Sequence, residues 1–153
     1  MVRMVDLRES ARASLEALDC PTFESKPWAQ GPPLAKRRVA IISSAGLMLR
    51  GEQPVGRGAS DYRAIPHTAP AGDILMSHVS VNFDRTGFQQ DLNVILPRDR
   101  LDELVAAGEI GSAATTHYAF MGATDPRAME TPARAVAARL KAERTDSAVL
   151  LPV

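Results

Sequence analysis

Cysteine is almost absent from this chain. Cys20 is the only one in 153 residues, which excludes an intrachain disulfide framework and every zinc site built from several thiolates. Such a chain suits a reducing compartment, and the cytoplasm is the expected location. Aromatic residues are scarce at 5%. An excess charge of either sign is missing: 18 Lys and Arg balance 18 Asp and Glu, so neither nucleic acid nor a membrane surface is implied as a partner. Long apolar runs are also missing, the longest falling far short of the ~20 residues of a spanning helix. Met1 to Leu18 carries charges throughout and lacks the apolar stretch of a signal peptide.

What remains is an ordinary globular composition, 45% hydrophobic and 24% charged, of a length that suits one folded domain. Residues 1–36 read as an N-terminal helix and a proline-rich arm, and 37–153 as an α/β domain. The helix is expected over 6–18, with Asp6 as N-cap, Glu9 completing a capping box, and Leu7, Ala11, Leu15 and Leu18 at helical spacing. It should end at Cys20-Pro21. Four prolines and Gly31 make 21–36 irregular, and Trp28 is expected to dock on the domain.

RRVAIISS over 37–44 is the strongest strand signal: a β-branched apolar run between basic residues and Ala45-Gly46, as in a central strand covered on both faces. A long loop should follow over 47–60. DYRAIP over 61–66 reads as an edge strand ended by Pro66, and DILMSH over 73–78 as another short strand. After a polar, irregular 82–93, Pro97 opens a helix that buries Leu101, Leu104 and Val105 and stops at Gly108. AATTHYAF over 113–120 reads as a strand, 126–143 as a helix or helix pair with Pro132 in a first turn, and SAVLL over 147–151 as a last, central strand. This alternation predicts an α/β three-layer sandwich with a mostly parallel sheet, Rossmann- or flavodoxin-like.

Ligands of such sheets sit outside the carboxyl ends of the strands, so the residues just after each strand are the candidates. The stretch HVSVNFDRTGFQQDLN over 78–93 concentrates His, Asn, Asp, Arg and Gln. Those residue types form either a ligand cradle or an ordered loop held by Asx-turns. His78 and His117 are expected on one rim, where either would move protons near neutral pH. Their separation, with Asp84, has no metal-site spacing, and no metal is expected. Ser43-Ser44-Ala45-Gly46 lacks the spacing of a phosphate-binding loop and reads better as a small-residue turn that permits close approach. In Met121–Pro126, Thr124 or Asp125 caps the next helix with Pro126 at its first position. Cys20 reads as a small apolar filler.

KRRVAIISSAGLMLRG (36–51), SHVSVNFDRTGFQQDLNVILPRDRLDELVAAGEIGSAATTHYAFMGATDP (77–126) and DSAVLLPV (146–153) resemble the glycine/sarcosine/betaine reductase selenoprotein B family. That family includes the D-proline reductase selenoprotein subunit and smaller stand-alone relatives. CPTFESKPW (20–28) is similar to the stand-alone type, and the likeness runs from about Met4 to Val153. It implies an oxidoreductase in which a selenocysteine or cysteine attacks the carbon beside an amine nitrogen. The C–N bond is cleaved reductively, and a dithiol or thioredoxin-like donor restores the selenol. The redox residue follows a strand that looks like AVLLPV, in a U-x-x-C or C-x-x-C type motif, because an ionised selenol is a strong nucleophile and a neighbouring cysteine resolves the intermediate.

The sequence ends at Val153, where the family places that residue. The expectation is a UGA selenocysteine codon read as a stop; a deliberately shortened chain would look the same. No other cofactor is implied. Placed by that rim beside the expected redox residue, His78, Asp84 and His117 are expected as catalytic residues, and Ser44, Asn82, Arg85, Asp91 and Asn93 as substrate-binding ones. Asp84 would orient a histidine, and Arg85 would hold a substrate carboxylate. A small-molecule substrate and a homo-oligomer, using exposed apolar surface or the arm around Trp28, are expected. The 153 residues alone should be inactive. The alternative is a non-catalytic α/β binding or interaction module.

Overall fold

The computed structural model describes residues 3–153 apart from Leu18, Cys20, Ser25 and 81–84. Its strands are β1 (Arg38–Ser43), β2 (Leu47–Leu49), β3 (Tyr62–Pro66), β4 (Ile74–Met76), β5 (Ser112–Ala113), β6 (Thr116–Phe120) and β7 (Ser147–Leu151). Its helices are α1 (Glu9–Glu16), α2 (Thr86–Gln90), α3 (Arg98–Ala106) and α4 (Glu130–Ala142). The architecture is mixed α/β, with a sheet of parallel and antiparallel strands.

β1 lies in the middle of that sheet. Val39, Ala40 and Ile41 are all buried, as a strand covered on both faces requires. β7 runs parallel to it along one edge, Val39 facing Ser147 and Ser43 facing Leu151. β5 and β6 run parallel along the other edge. β3 closes that side antiparallel to β6, Tyr62 opposite Phe120. Among the described strands β7 pairs only with β1, so it is an edge strand rather than a central one. Val149 and Leu150 are correspondingly exposed. β2 and β4 form a separate antiparallel pair, so a strand begins inside the expected 47–60 loop.

The strand expected over 113–120 is broken. Val39 faces Ala113 but Ile42 faces Tyr118, so the outer strand carries two extra residues, Ala114 and Thr115. Thr115 turns its carbonyl outward to the His67 N–H (2.9 Å), which leaves the Ile41 N–H without a ladder acceptor. His117 Nδ1 takes that role, as described below. Consecutive β6 side chains point to opposite faces: His117 toward α3, through His67 and Asp102, and Tyr118 toward α4, where Tyr62 packs edge-on against it at 5.7 Å and Arg139 lies over the Tyr62 ring.

The core joins Ile41, Leu47, Ile65 and Leu96, all fully buried, each stabilising the fold by roughly 1.5–3 kcal/mol. α3 adds Leu101 and packs Val105, while Leu104 stays exposed, contrary to the expected face. Pro97 precedes α3 and Gly108 leaves it at φ +73°, as the sequence implied. Asp125 caps the turn before α4, accepting from the Arg127 N–H with Pro126 at the first position.

The N-terminal expectations fare worse. α1 is shorter than 6–18, its N-cap is Arg8, and Asp6 instead closes a turn onto Arg3 at 3.0 Å. Leu15 is exposed, so the apolar spacing builds no buried face. Trp28 is 92% exposed, not docked. Polar contacts hold the arm instead: Arg37 Nε donates to the Pro32 carbonyl at 2.6 Å, and Arg127 pairs with Asp19 at 2.8 Å. Cys20 lies outside the described residues.

Gly111 marks the tightest crossing. A Cβ there would lie 2.7 Å from the Lys36 carbonyl carbon, a backbone atom that cannot swing aside. Gly111→Ala should therefore cost on the order of 1–3 kcal/mol in urea unfolding. Gly72→Ala, with nothing within 4 Å of the new methyl, should be neutral or slightly stabilising. Equal effects would contradict the crossing.

Candidate functional site

Three chain segments meet at the carboxyl end of β1, and Ser44 ties them together. Its N–H donates to the Leu151 carbonyl (3.0 Å) and its carbonyl accepts the Gly122 N–H (2.9 Å). Its Oγ accepts the Val153 N–H at 2.8 Å and donates to the Val153 carbonyl at 3.4 Å. The backbone beyond β7 is thus held at both of its polar groups by one hydroxyl. Gly122 makes the approach possible, since a Cβ there would lie 2.9 Å from the Ser44 carbonyl oxygen.

Beside this junction lies a cleft of about 550 Å³, lined chiefly by Ile42, Phe120, Met129, Ala133, Leu150 and Leu151, with Ser43, Ser44 and Thr124 as its hydroxyl groups. It opens at the carboxyl ends of the parallel strands, where α/β sheets bind ligands.

His78 stands at the same end of β1, on the side of β6. Gly46, at φ +62°, brings the loop after Ser44 against it: a Cβ on Gly46 would lie 3.2 Å from the His78 Cα and 3.1 Å from Met121 Cε. The expected small-residue turn with a close approach is therefore present. His78 is buried, its Nδ1 accepts the Ser80 N–H at 3.1 Å, and burial followed by the nearby Arg85 charge holds its pKa below the usual value. Arg85 Nη2 donates to the carbonyls of His78 and Ser80, both at 2.8 Å, and orders the loop.

Asp91 and Asn93 also serve the loop. Asp91 accepts from the backbone and side chain of Asn93, both at 2.9 Å, which lowers its pKa. Asn93 Oδ1 accepts the Asp99 N–H in the first turn of α3 at 3.1 Å. Of the two readings of this stretch, the Asx-turn reading describes them. Asn82 and Asp84 lie outside the described residues.

His117 is not on the rim. It is the second residue of β6, fully buried, and part of a chain of hydrogen bonds that sequence reasoning missed. Its Nδ1 accepts the Ile41 N–H at 3.1 Å, so the neutral ring must carry its proton on Nε2. Nε2 then donates to His67 Nδ1 at 2.9 Å, and His67 Nε2 donates to Asp102 Oδ1 at 3.0 Å. Every ring nitrogen in this line is used, and the line runs from a buried backbone amide to the exposed Asp102 carboxylate. It repairs the sheet defect at Ala114-Thr115. Nothing in the sequence pairs His67, alone in a loop, with a histidine fifty residues later; only the strand register joins them.

Among the described residues, no group of three or more His, Cys, Asp or Glu side chains is placed to hold a metal ion, and no helix is long and apolar enough to cross a membrane. Compared with protein-family models, with curated proteins and with solved structures, the chain matches none.

Burial, then the neighbouring His67 and Arg98, depress the His117 pKa from 6.5 to about 4, Asp102 opposing them. Between those values the unfolded chain binds the proton that the folded chain refuses. The contribution is fully present above pH 6.5 and is lost as pH falls through 4, on the order of 3 kcal/mol in all. Denaturant midpoints should therefore fall between pH 7 and 4.5. His117→Gln should be less stable at pH 7 and lose less on acidification, whereas an equal loss in both proteins would assign the effect elsewhere.

Proposed function

We propose that this chain is a reductase-family protein of the selenol- or thiol-dependent type, acting on a small amine-type substrate by reductive C–N cleavage, with its redox residue in the position after Val153. The observation that carries this reading is the two-point hold of Ser44 on Val153 beside the cleft. A nucleophile in the next position would leave a fixed backbone at the carboxyl end of the sheet. Holding a reacting atom in place can supply several kcal/mol of a barrier.

In this reading a selenolate or thiolate attacks the carbon bearing nitrogen and the amine leaves. His78, with its proton on Nε2, stands at the same end of β1 as a candidate donor to the leaving nitrogen. A dithiol or thioredoxin-like donor then supplies the two electrons that break the new carbon–selenium or carbon–sulfur bond: the carbon leaves as C–H, the dithiol becomes a disulfide, and the selenol or thiol is restored. The finer fold expectation, a Rossmann- or flavodoxin-like three-layer sandwich, is supported by His117 and Tyr118 reaching helices on opposite faces of β6. A cytoplasmic location fits a working thiol or selenol. Self-association through the exposed β7 edge or the arm around Trp28 completes the proposal, and light scattering showing only a monomer at high micromolar concentration would contradict that part.

The gene tests the main reading. An in-frame UGA or cysteine codon after that of Val153, followed by coding sequence for a further cysteine, supports it; an ordinary stop with no open frame beyond contradicts it. With that residue present, Ser44→Ala should lower dithiol-dependent amine release about tenfold or more, chiefly in kcat.

A further inference from the structure

β7 leaves one side of its backbone open. The Leu151 carbonyl accepts the Ser44 N–H at 3.0 Å, so Leu151 faces β1, and with it Val149 and Ser147. Ala148 and Leu150 therefore turn their N–H and carbonyl groups the other way, where β7 has no neighbour among the described strands. The open stretch has sharp ends. Pro152 has no N–H, and the Asp146 N–H donates to the Arg38 carbonyl at 2.9 Å. Sheet edges are ordinarily guarded by a charge, a proline or a bulge, yet Ser147–Leu151 contains no charged residue and no proline. Successive side chains point to opposite faces, and both faces carry exposed apolar surface, Val149 at 41% and Leu150 at 70%.

We infer that this edge pairs with the same edge of a second copy, β7 antiparallel to β7 about a two-fold axis at Val149. The open groups fix that register. Ala148 opposite the partner's Leu150, and Leu150 opposite the partner's Ala148, exchange both N–H···O bonds and satisfy every open group of the two strands. With the axis at Ala148, Leu150 would meet the partner's Asp146, whose N–H is already given to Arg38. With the axis at Leu150, Ala148 would meet the partner's Pro152, which has no N–H. A slip by one residue would set outward groups against inward ones. The remaining register sets Val149 directly against the partner's Val149 and Leu150 diagonal to the partner's Leu150, so each exposed side chain meets its own kind. That match is why the occupant is a second copy: symmetry supplies it, whereas a strand of another protein would have to reproduce it. Leu150 also lines the cleft, so the partner's Leu150 extends the cleft wall. The pairing commits the self-association proposed above to one surface and one register, and it does not depend on the reductase chemistry.

The 153-residue chain tests it. Light scattering should show a dimer at high micromolar concentration that dissociates on dilution. Leu150→Lys, at a mostly exposed position, should weaken association about tenfold or more, and Trp28→Ala should leave it unchanged. Disulfide capture in a Cys20→Ser background reads the register. Val149→Cys should crosslink to its own copy under mild oxidation, because directly opposed Cβ atoms lie about 4.5–5.5 Å apart. Ala148→Cys, diagonal to itself at roughly 7–8 Å, should not. A strict monomer overturns the pairing, as does a dimer that survives Leu150→Lys or dissolves in Trp28→Ala. Capture of Ala148→Cys as efficient as that of Val149→Cys overturns the register. None of these readouts involves the residue after Val153. An ordinary stop codon there would sink the reductase reading and leave the dimer standing, while a monomer would sink the edge pairing and leave the codon to decide the chemistry.

Discussion

Ser44 is where the chain commits its polar groups most densely. Its amide, carbonyl and hydroxyl join β1 to the ends of β6 and β7 through Gly122, Leu151 and Val153. The arrangement follows from small residues. Any side chain at 122 would strike Ser44, its Cβ lying 2.9 Å from the Ser44 carbonyl oxygen. The cleft is lined by the ends of β1, β6 and β7 together with Met129 and Ala133 at the start of α4. Loosening this contact would therefore change the cleft and the position after Val153 together.

A second economy governs the polar loop after β4. Arg85 draws the carbonyls of His78 and Ser80 together, Asp91 and Asn93 close an Asx-turn, and Asn93 reaches on to the first turn of α3. Residues that look like a ligand cradle are satisfied by the backbone, because an irregular segment has no ladder to absorb its own amides and carbonyls. The two buried histidines differ for the same reason. His117 completes a sheet bond that Thr115 abandoned, whereas His78 sits where the strand has ended and the rim begins. Burial disfavours the charged form of both, and position separates a structural ring from a candidate proton donor.

The parts legible in sequence are those decided locally. The VAIIS run of β1, Pro97 and Gly108 around α3, and the Asp125-Pro126 cap each carry their own signal in adjacent residues. The missed parts depend on distant partners. The antiparallel direction of β3, the Ala114-Thr115 break and the His67–His117 pair are set by strand register, which no short window contains. Trp28 misled because a large aromatic usually docks, and here Arg37 and Arg127 hold the arm instead. At the site, Ser44 was legible from its place after a strand. Gly122 matters through a contact in space, since its close approach to Ser44 joins residues 78 positions apart, about half the chain length.

The central claim is that one hydroxyl fixes the backbone at the end of β7. Hydrogen exchange at the Val153 amide measures it most directly. The hold on Ser44 Oγ predicts an amide protected well beyond its exposed surroundings in the native chain, with the protection lost in Ser44→Ala while the β1 amides remain slow. A Val153 amide that exchanges at the unprotected rate in the native chain, or equally slowly in both proteins, would contradict it.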